Sequence, residues 1–195
     1  VSGKAAPMPA AVGAVSGLPA SFLSSLSLHL EQTALRLGSG IAKIREMRDA
    51  GVKVGIAVDG SASNDGNDVL LETRMAMLLQ RVGKGAAAFG VGEALQLATL
   101  GSASVIGRED LGKLAPGMAA DFIGFRLDRL EFAGAAIHDP VAALLLCRPK
   151  GVDLSVINGR VVVEEGQLKG IDLPGAIRDH DRFAADMAAK HPLGT

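Results

Sequence analysis

Tryptophan and tyrosine are absent from this chain, and cysteine occurs once, at Cys147. With six Phe as the whole aromatic complement, the platforms on which single-stranded nucleic acid stacks are missing, and the core has to be aliphatic. A single cysteine cannot close an internal disulfide, which agrees with an expected cytoplasmic location. Charge of one sign is also lacking. Lys and Arg number 20 against 21 Asp and Glu, a formal net charge of -1, so neither a nucleic-acid surface nor an anionic-membrane surface is expected. No apolar run approaches the roughly 20 residues that cross a bilayer. The four histidines, His29, His138, His180 and His191, form no His-x-His, His-x-x-x-His or His-Glu-x-x-His pattern. No serine sits in a Gly-x-Ser-x-Gly elbow, and the glycines of LGSGI fit no nucleotide-binding fingerprint.

What is present is a globular composition, 48% hydrophobic and 21% charged over 195 residues, enough for one large domain or a medium domain with a smaller one. Residues 1–38 are rich in Ala, Ser, Gly and Pro, sustain no period, and are expected to form an atypical or poorly structured start. From Gly40 onward, Ile41, Ile44, Met47 and Ala50 recur at three-residue spacing among charges, which predicts an amphipathic helix stopped by Gly51. The run VKVGIAVD at 52–59 is β-branched and apolar on both faces, as in a strand of a helix-covered parallel sheet. Asp68 is placed to cap a helix through Arg81, with Leu71, Met75, Leu78 and Leu79 facing inward. A further helix is expected near 93–99 and can continue through SASVIG.

Pro116-Gly117 marks a turn, after which ADFIGFRL reads as a strand. Asp139-Pro140 opens a short helix ending near Cys147, a position that favours a core thiol over a nucleophile. VDLSVINGRVVVEEGQL is two β-rich runs about Asn158-Gly159, the preferred type I′ hairpin pair. A last helix over 173–189 carries Ile177, Phe183, Ala184 and Met187 as its apolar stripe. His138 is expected to serve a turn and His180 to be solvated.

Asp59 stands at the carboxyl end of the 52–59 strand, the end where parallel α/β folds and β/α barrels build active sites. A carboxylate there needs a cation, a metal or backbone donors to compensate it. Two readings follow, a site residue or a cap for the polar loop of Gly60, Ser61, Ser63 and Asn64, and position alone does not separate them.

The runs VGIAVDGSASNDGNDVLLETRMAMLLQR, EALQLATLGSASVIGREDLGKLAPGMAADFIGF and HDPVAALLLCRPKGVDLSVINGRVVVEEGQL resemble, in this order, the carboxy-terminal part of the amidohydrolase superfamily. The resemblance spans about residues 36–190, falls in the nucleobase and triazine deaminase branch, and is nearest in pattern to the 8-oxoguanine deaminases. It implies an α/β fold comprising the last units of a metal-dependent (β/α)8 barrel and part of a flanking β-sandwich. The expected division is barrel over 39–112, sandwich with a short helix over 113–172, and terminal helix and tail over 173–195. A full barrel takes about 250 residues, so at most its last two units fit here.

The chemistry implied is hydrolytic release of ammonia from a purine-like ring, through a hydroxide made by one divalent metal, zinc first and iron second. Asp59 matches the ligand after the eighth strand and would serve as metal ligand and general base together. Ser61, Asn64 and His29 are the candidate substrate-binding residues, His29 because it lies seven positions before Arg36, where the family has a histidine. The family's His-x-His pair, its two later metal histidines and its proton-shuttling Glu have no counterpart. The alternatives are a triazine-type chlorohydrolase or alkylamine hydrolase of the same superfamily, or a catalytically incomplete fragment acting as an interaction module. Expected partners are a small heterocyclic substrate, and either further copies of the chain or a missing amino-terminal part of the barrel.

Overall fold

The computed structural model describes residues 27–29, 35–38, 40–60, 64, 66–82 and 84–190. They fall into two compact units, Val1–Ala119 with Leu127–Pro149, and Ala120–Arg126 with Lys150–Thr195. In chain order the two units interleave. The segment between the first antiparallel strand and the hairpin returns to the first unit, a long-range association that no local signal announces. The expected start over 1–38 lies mostly outside the described residues.

In the first unit, β1 (Ser27–His29) and β2 (Val54–Ile56) pair in parallel, with Ser27, Leu28 and His29 opposite Val54, Gly55 and Ile56. Between them lies α1 (Ile44–Asp49), which buries Ile44 and Met47 and ends before Gly51 at φ 80°. Ile41 and Ala50, the outer members of the expected stripe, are exposed, because the helix is only six residues long. β2 is buried at all three positions, as its β-branched run predicts, and covers 54–56 of the strand expected over 52–59.

α2 (Val69–Arg81) starts on Asp68, whose Oδ1 accepts the Leu71 N–H at 3.0 Å. Its buried positions are Glu72, Thr73, Ala76, Met77 and Gln80, whereas Leu71, Met75, Leu78 and Leu79 are half-buried. This corrects the expected inward face. The buried polar residues on it have partners: Glu72 accepts from Asn64 at 2.7 Å, Thr73 donates to the Val69 carbonyl at 2.6 Å and Gln80 to the Ala42 carbonyl at 2.8 Å, while the buried Nε of the half-buried Arg74 has none. A satisfied polar side chain can therefore occupy the interior at little cost.

Next comes one continuous helical stretch: α3 (Val91–Gln96), a π-helical turn over Leu97–Gly101, and α4 (Ser102–Val105). The unit is completed by α5 (Ala135–His138) and by α6 (Pro140–Leu146), on which Asp139 Oδ1 accepts the N–H groups of Val141 and Ala142. Ile44, Ala76, Met77, Phe89 and Leu145 are the centre of the core, each exposed by no more than 1%. Burying a side chain such as Met77 contributes about 1.5–3 kcal/mol. Cys147 follows α6 half-buried rather than in the core; His180 is exposed as expected, and His138, expected to serve a turn, is the exposed last residue of α5.

The second unit is an antiparallel sheet ordered β3 (Phe122–Gly124), β4 (Leu154–Ile157), β5 (Arg160–Glu164) and β6 (Gln167–Leu168). Asn158 and Gly159 have φ of 49° and 74°, the left-handed pair of the expected type I′ turn. Asp153 is buried and organises the sheet: its Oδ2 accepts the Arg126 N–H at 2.8 Å, and its backbone bonds Gly124 and Gly166. At the edge, Lys169 Nζ lies 2.6 Å from Glu164 Oε2 and holds that carboxyl below its ordinary range. α7 (Leu173–Lys190) follows with no buried residue, so the expected stripe of Ile177, Phe183 and Met187 is exposed. Among the described residues no helix is long and apolar enough to cross a membrane.

Replacing Asn158 by Ala, which lacks the side chain that tolerates positive φ, is expected to cost about 1 kcal/mol of stability in urea denaturation. In the first unit, a Cβ at Gly101 would stand 2.4 Å from the Val54 carbonyl oxygen. Gly101→Ala therefore has to push the helix off β2, at a cost of about 1–3 kcal/mol by the same measurement. An unchanged midpoint would mean that the two backbones are not in contact.

Candidate functional site

β2 delivers the chain to its carboxyl end at Asp59, and both of its sides are held. On one side it pairs with β1. On the other the Ser102 hydroxyl accepts the Ile56 N–H at 3.0 Å, while its own proton is shared between the carbonyls of Ile56 at 2.8 Å and Leu97 at 3.1 Å. The contact is possible because a Cβ at Gly55 would lie 2.6 Å from the Ser102 Cα, so only hydrogen fits there. The π-helical turn just before Ser102 supplies the register. Such turns insert one residue into a helix and commonly accompany functional sites.

Beyond Ile56 the chain becomes partly exposed through Ala57, Val58 and Asp59 to the exposed Gly60. Asp59 Oδ1 accepts the Gly60 N–H at 2.8 Å, so the capping contact weighed from the sequence is present. The loop then closes on itself: the Asn64 N–H donates to the Gly60 carbonyl at 3.0 Å. Asn64 is 6% exposed, its Nδ2 donates to Glu72 Oε1 at 2.7 Å, and its Oδ1 accepts the Gly66 N–H at 3.1 Å. The amide of Asn64, a substrate-binding candidate from the sequence, is thus turned into the protein and engaged at both ends.

The other two candidates are placed less fully. His29 ends β1 opposite Ile56 in register, so its backbone is three residues upstream of Asp59 in the ladder frame. The side chain of His29, together with Ser61 and His191, lies outside the described residues. Glu72 and Ser102 were missed from the sequence. A signal existed for Glu72: it shares a four-residue spacing with Ala76 and Gln80, marking a second, polar face of α2.

A carboxylate oxygen at the end of a buried strand suits a divalent metal such as zinc. Among the described residues no group of three or more His, Cys, Asp or Glu side chains could hold a metal ion. Asp59 thus fits one corner of a metal site, and the described residues do not complete one.

Comparison with known proteins agrees with this partial character. A model of the amidohydrolase family matches residues 13–162. The chain is 43% identical over 161 residues to an 8-oxoguanine deaminase from Pseudomonas aeruginosa, which covers 83% of this chain and 35% of that protein. It is 40% identical over 158 residues to a 5-methylthioadenosine/S-adenosylhomocysteine deaminase from Bacillus cereus, covering 80% and 36% respectively. Among solved structures it resembles atrazine chlorohydrolase TrzN from Arthrobacter aurescens complexed with zinc, with TM-score 0.76 and 35% identity over 85% of this chain and 38% of that one. An adenosine deaminase from Xanthomonas campestris with bound zinc gives TM-score 0.76 and 26% identity over 83% of this chain and 37% of that one. The chain spans about a third of the length of the relatives it matches. With the parallel strand pair, the helices that cover it, the antiparallel sheet and the strand-end aspartate all in place, the chain belongs to the amidohydrolase family, as a carboxy-terminal portion of its fold.

Proposed function

We propose that this chain is the carboxy-terminal portion of a metal-dependent aminohydrolase that releases ammonia from a purine-like ring such as 8-oxoguanine. The observation that carries the reading is Asp59, at the carboxyl end of a buried parallel strand, within a stretch 43% identical to an 8-oxoguanine deaminase. Zinc is the metal favoured, because both zinc-containing neighbours share this fold.

The division of labour follows from the chemistry. A bound divalent metal supplies the Lewis acidity that makes water a nucleophile near neutral pH. Asp59 would hold that metal through one carboxylate oxygen and accept a proton at the other, the work of a general base. The remaining metal-binding groups, and the groups that recognise the ring, would come from the amino-terminal part of the barrel. Ser61, in the same loop, is retained as a candidate contact to substrate, and His29 as another at the end of β1. As in the expected scheme, the substrate is a small heterocycle.

A second reading, a triazine-type chlorohydrolase, is favoured by the likeness to atrazine chlorohydrolase. It ranks behind deamination because the identity to the 8-oxoguanine deaminase is higher, 43% against 35%. Chloride released from a chlorotriazine, with no ammonia from 8-oxoguanine, would decide for it.

In the full-length enzyme Asp59→Asn retains the shape of the side chain but removes the base. Ammonia release is expected to fall about 10²–10⁴-fold with the circular dichroism spectrum unchanged. Turnover near that of the unmodified enzyme would take Asp59 out of the reaction. Residues 1–195 expressed alone are expected to bind zinc weakly and to release no ammonia, since one ligand leaves the ion mostly hydrated. Metal-dependent turnover by that polypeptide would overturn the assignment of the remaining ligands to another part of the protein.

A further inference from the structure

The loop that follows Asp59 is tied to α2 by a buried polar pair, not by apolar packing. Glu72 is fully buried and Asn64 nearly so, and they meet at 2.7 Å through Asn64 Nδ2 and Glu72 Oε1. From there the bonds continue without a break. The Asn64 backbone N–H reaches the Gly60 carbonyl, and the Gly60 N–H reaches Asp59 Oδ1. The far end of Asn64 is fixed as well, because its Oδ1 accepts the Gly66 N–H. Both glycines of this loop would otherwise leave the segment free to turn.

A carboxylate taken out of water is expensive unless donors meet it, so Glu72 holds the Asn64 amide in one orientation. The same orientation brings the Asn64 backbone under Gly60. We propose that Asn64 and Glu72 are positioning residues that fix the direction of the Asp59 carboxylate, and with it the affinity for the metal that Asp59 holds. The inference rests on the reading of Asp59 as a metal ligand. It assigns Asn64 a role behind the site, in place of a contact to substrate, because both ends of its amide are engaged inside the protein.

Three variants of the full-length protein separate positioning from simple stabilisation. Asn64→Asp sets two carboxylates against each other. Glu72→Gln keeps an oxygen that can accept from Asn64. The double variant Asn64→Asp/Glu72→Gln reverses donor and acceptor, while the introduced aspartate still accepts from Gly66. Zinc affinity is measured by competition with a chromophoric chelator, below the unfolding range of every variant, and thermal midpoints are recorded beside it.

Groups that orient a metal ligand are typically worth about 10–100-fold in metal affinity, and Asn64→Asp is expected to lose that much. Glu72→Gln is expected to stay close to the unmodified protein, and the double variant to recover. In ammonia release, kcat is expected to follow zinc occupancy with KM unchanged. A lowered thermal midpoint with unchanged zinc affinity in Asn64→Asp would overturn the proposal, as would a folded double variant no better than Asn64→Asp. Asp59→Asn is the control that separates the two levels. If it leaves zinc affinity unchanged, the reading of Asp59 as a ligand falls and positioning falls with it. If it weakens zinc binding while Asn64→Asp does not, positioning alone is wrong.

Discussion

A strand can carry a carboxylate to a fixed place only if its own backbone is held, and in this chain Ser102 holds the outer side of β2. Its hydroxyl takes up the Ile56 N–H and faces the Ile56 carbonyl. Backbone polar groups buried without partners cost about 1–3 kcal/mol each, so a side chain that satisfies a strand edge does the work of a neighbouring strand. That arrangement makes two further demands. Gly55 and Gly101 must lack side chains, since a Cβ on either would overlap the opposing backbone. The helix must also be unwound by one residue over Leu97–Gly101 to bring Ser102 to the strand. Serine, glycines and π-turn are therefore one device, and the position of Asp59 three residues past Ile56 follows from it.

The parts of this fold that could be read from the chain are those whose cause is local. Asp68 and Asp139 are caps because a short carboxylate reaches the N–H groups of the next turn, whatever surrounds it. Asn158-Gly159 readily takes positive φ at both positions, a preference of the pair itself that favours the hairpin turn, and Asp121 and Ala120 accept its two N–H groups. The β-branched 54–56 run is buried on both faces because nothing in it tolerates water well. Longer-range features were less legible. The inward face of α2 was misjudged because a periodicity argument equates apolar with interior, whereas Glu72 and Gln80 are inside with partners from other segments and Thr73 with a carbonyl of its own helix. The π-turn and the return of Leu127–Pro149 to the first unit depend on contacts far apart in sequence, which no window of neighbouring residues encodes.

For the candidate site, the sequence located the carboxylate but not its support. Asp59 was found by its place at a strand end, a position with chemical meaning in every parallel α/β architecture. Asn64 was found as a polar neighbour, and its burial reverses the sense of that observation. A polar loop residue is ordinarily taken as reaching outward, yet this one is the inner anchor of the loop. Glu72 went unnoticed for the complementary reason. On a helix with Thr73, Arg74 and Gln80 it looks like part of a solvated face, and only the bond to Asn64 explains why it is inside.

This arrangement bears on why the chain is similar both to an 8-oxoguanine deaminase, at 43% identity, and to an atrazine chlorohydrolase, at 35%. In the proposed enzyme, loss of ammonia and loss of chloride from a heterocycle both begin with water adding to an electron-poor ring carbon. Both need a base that takes the water's proton, and neither asks anything of that base that depends on the leaving group. With Asp59 as the proposed base, its loop would meet the common demand. Asn64 of this loop is bonded to Glu72 and Gly66. Discrimination between leaving groups would then fall to Ser61, in its proposed contact to substrate, and to side chains of other elements that meet the ring. On the proposed reading, the strand, the loop and the helix behind them could stay the same while those side chains change.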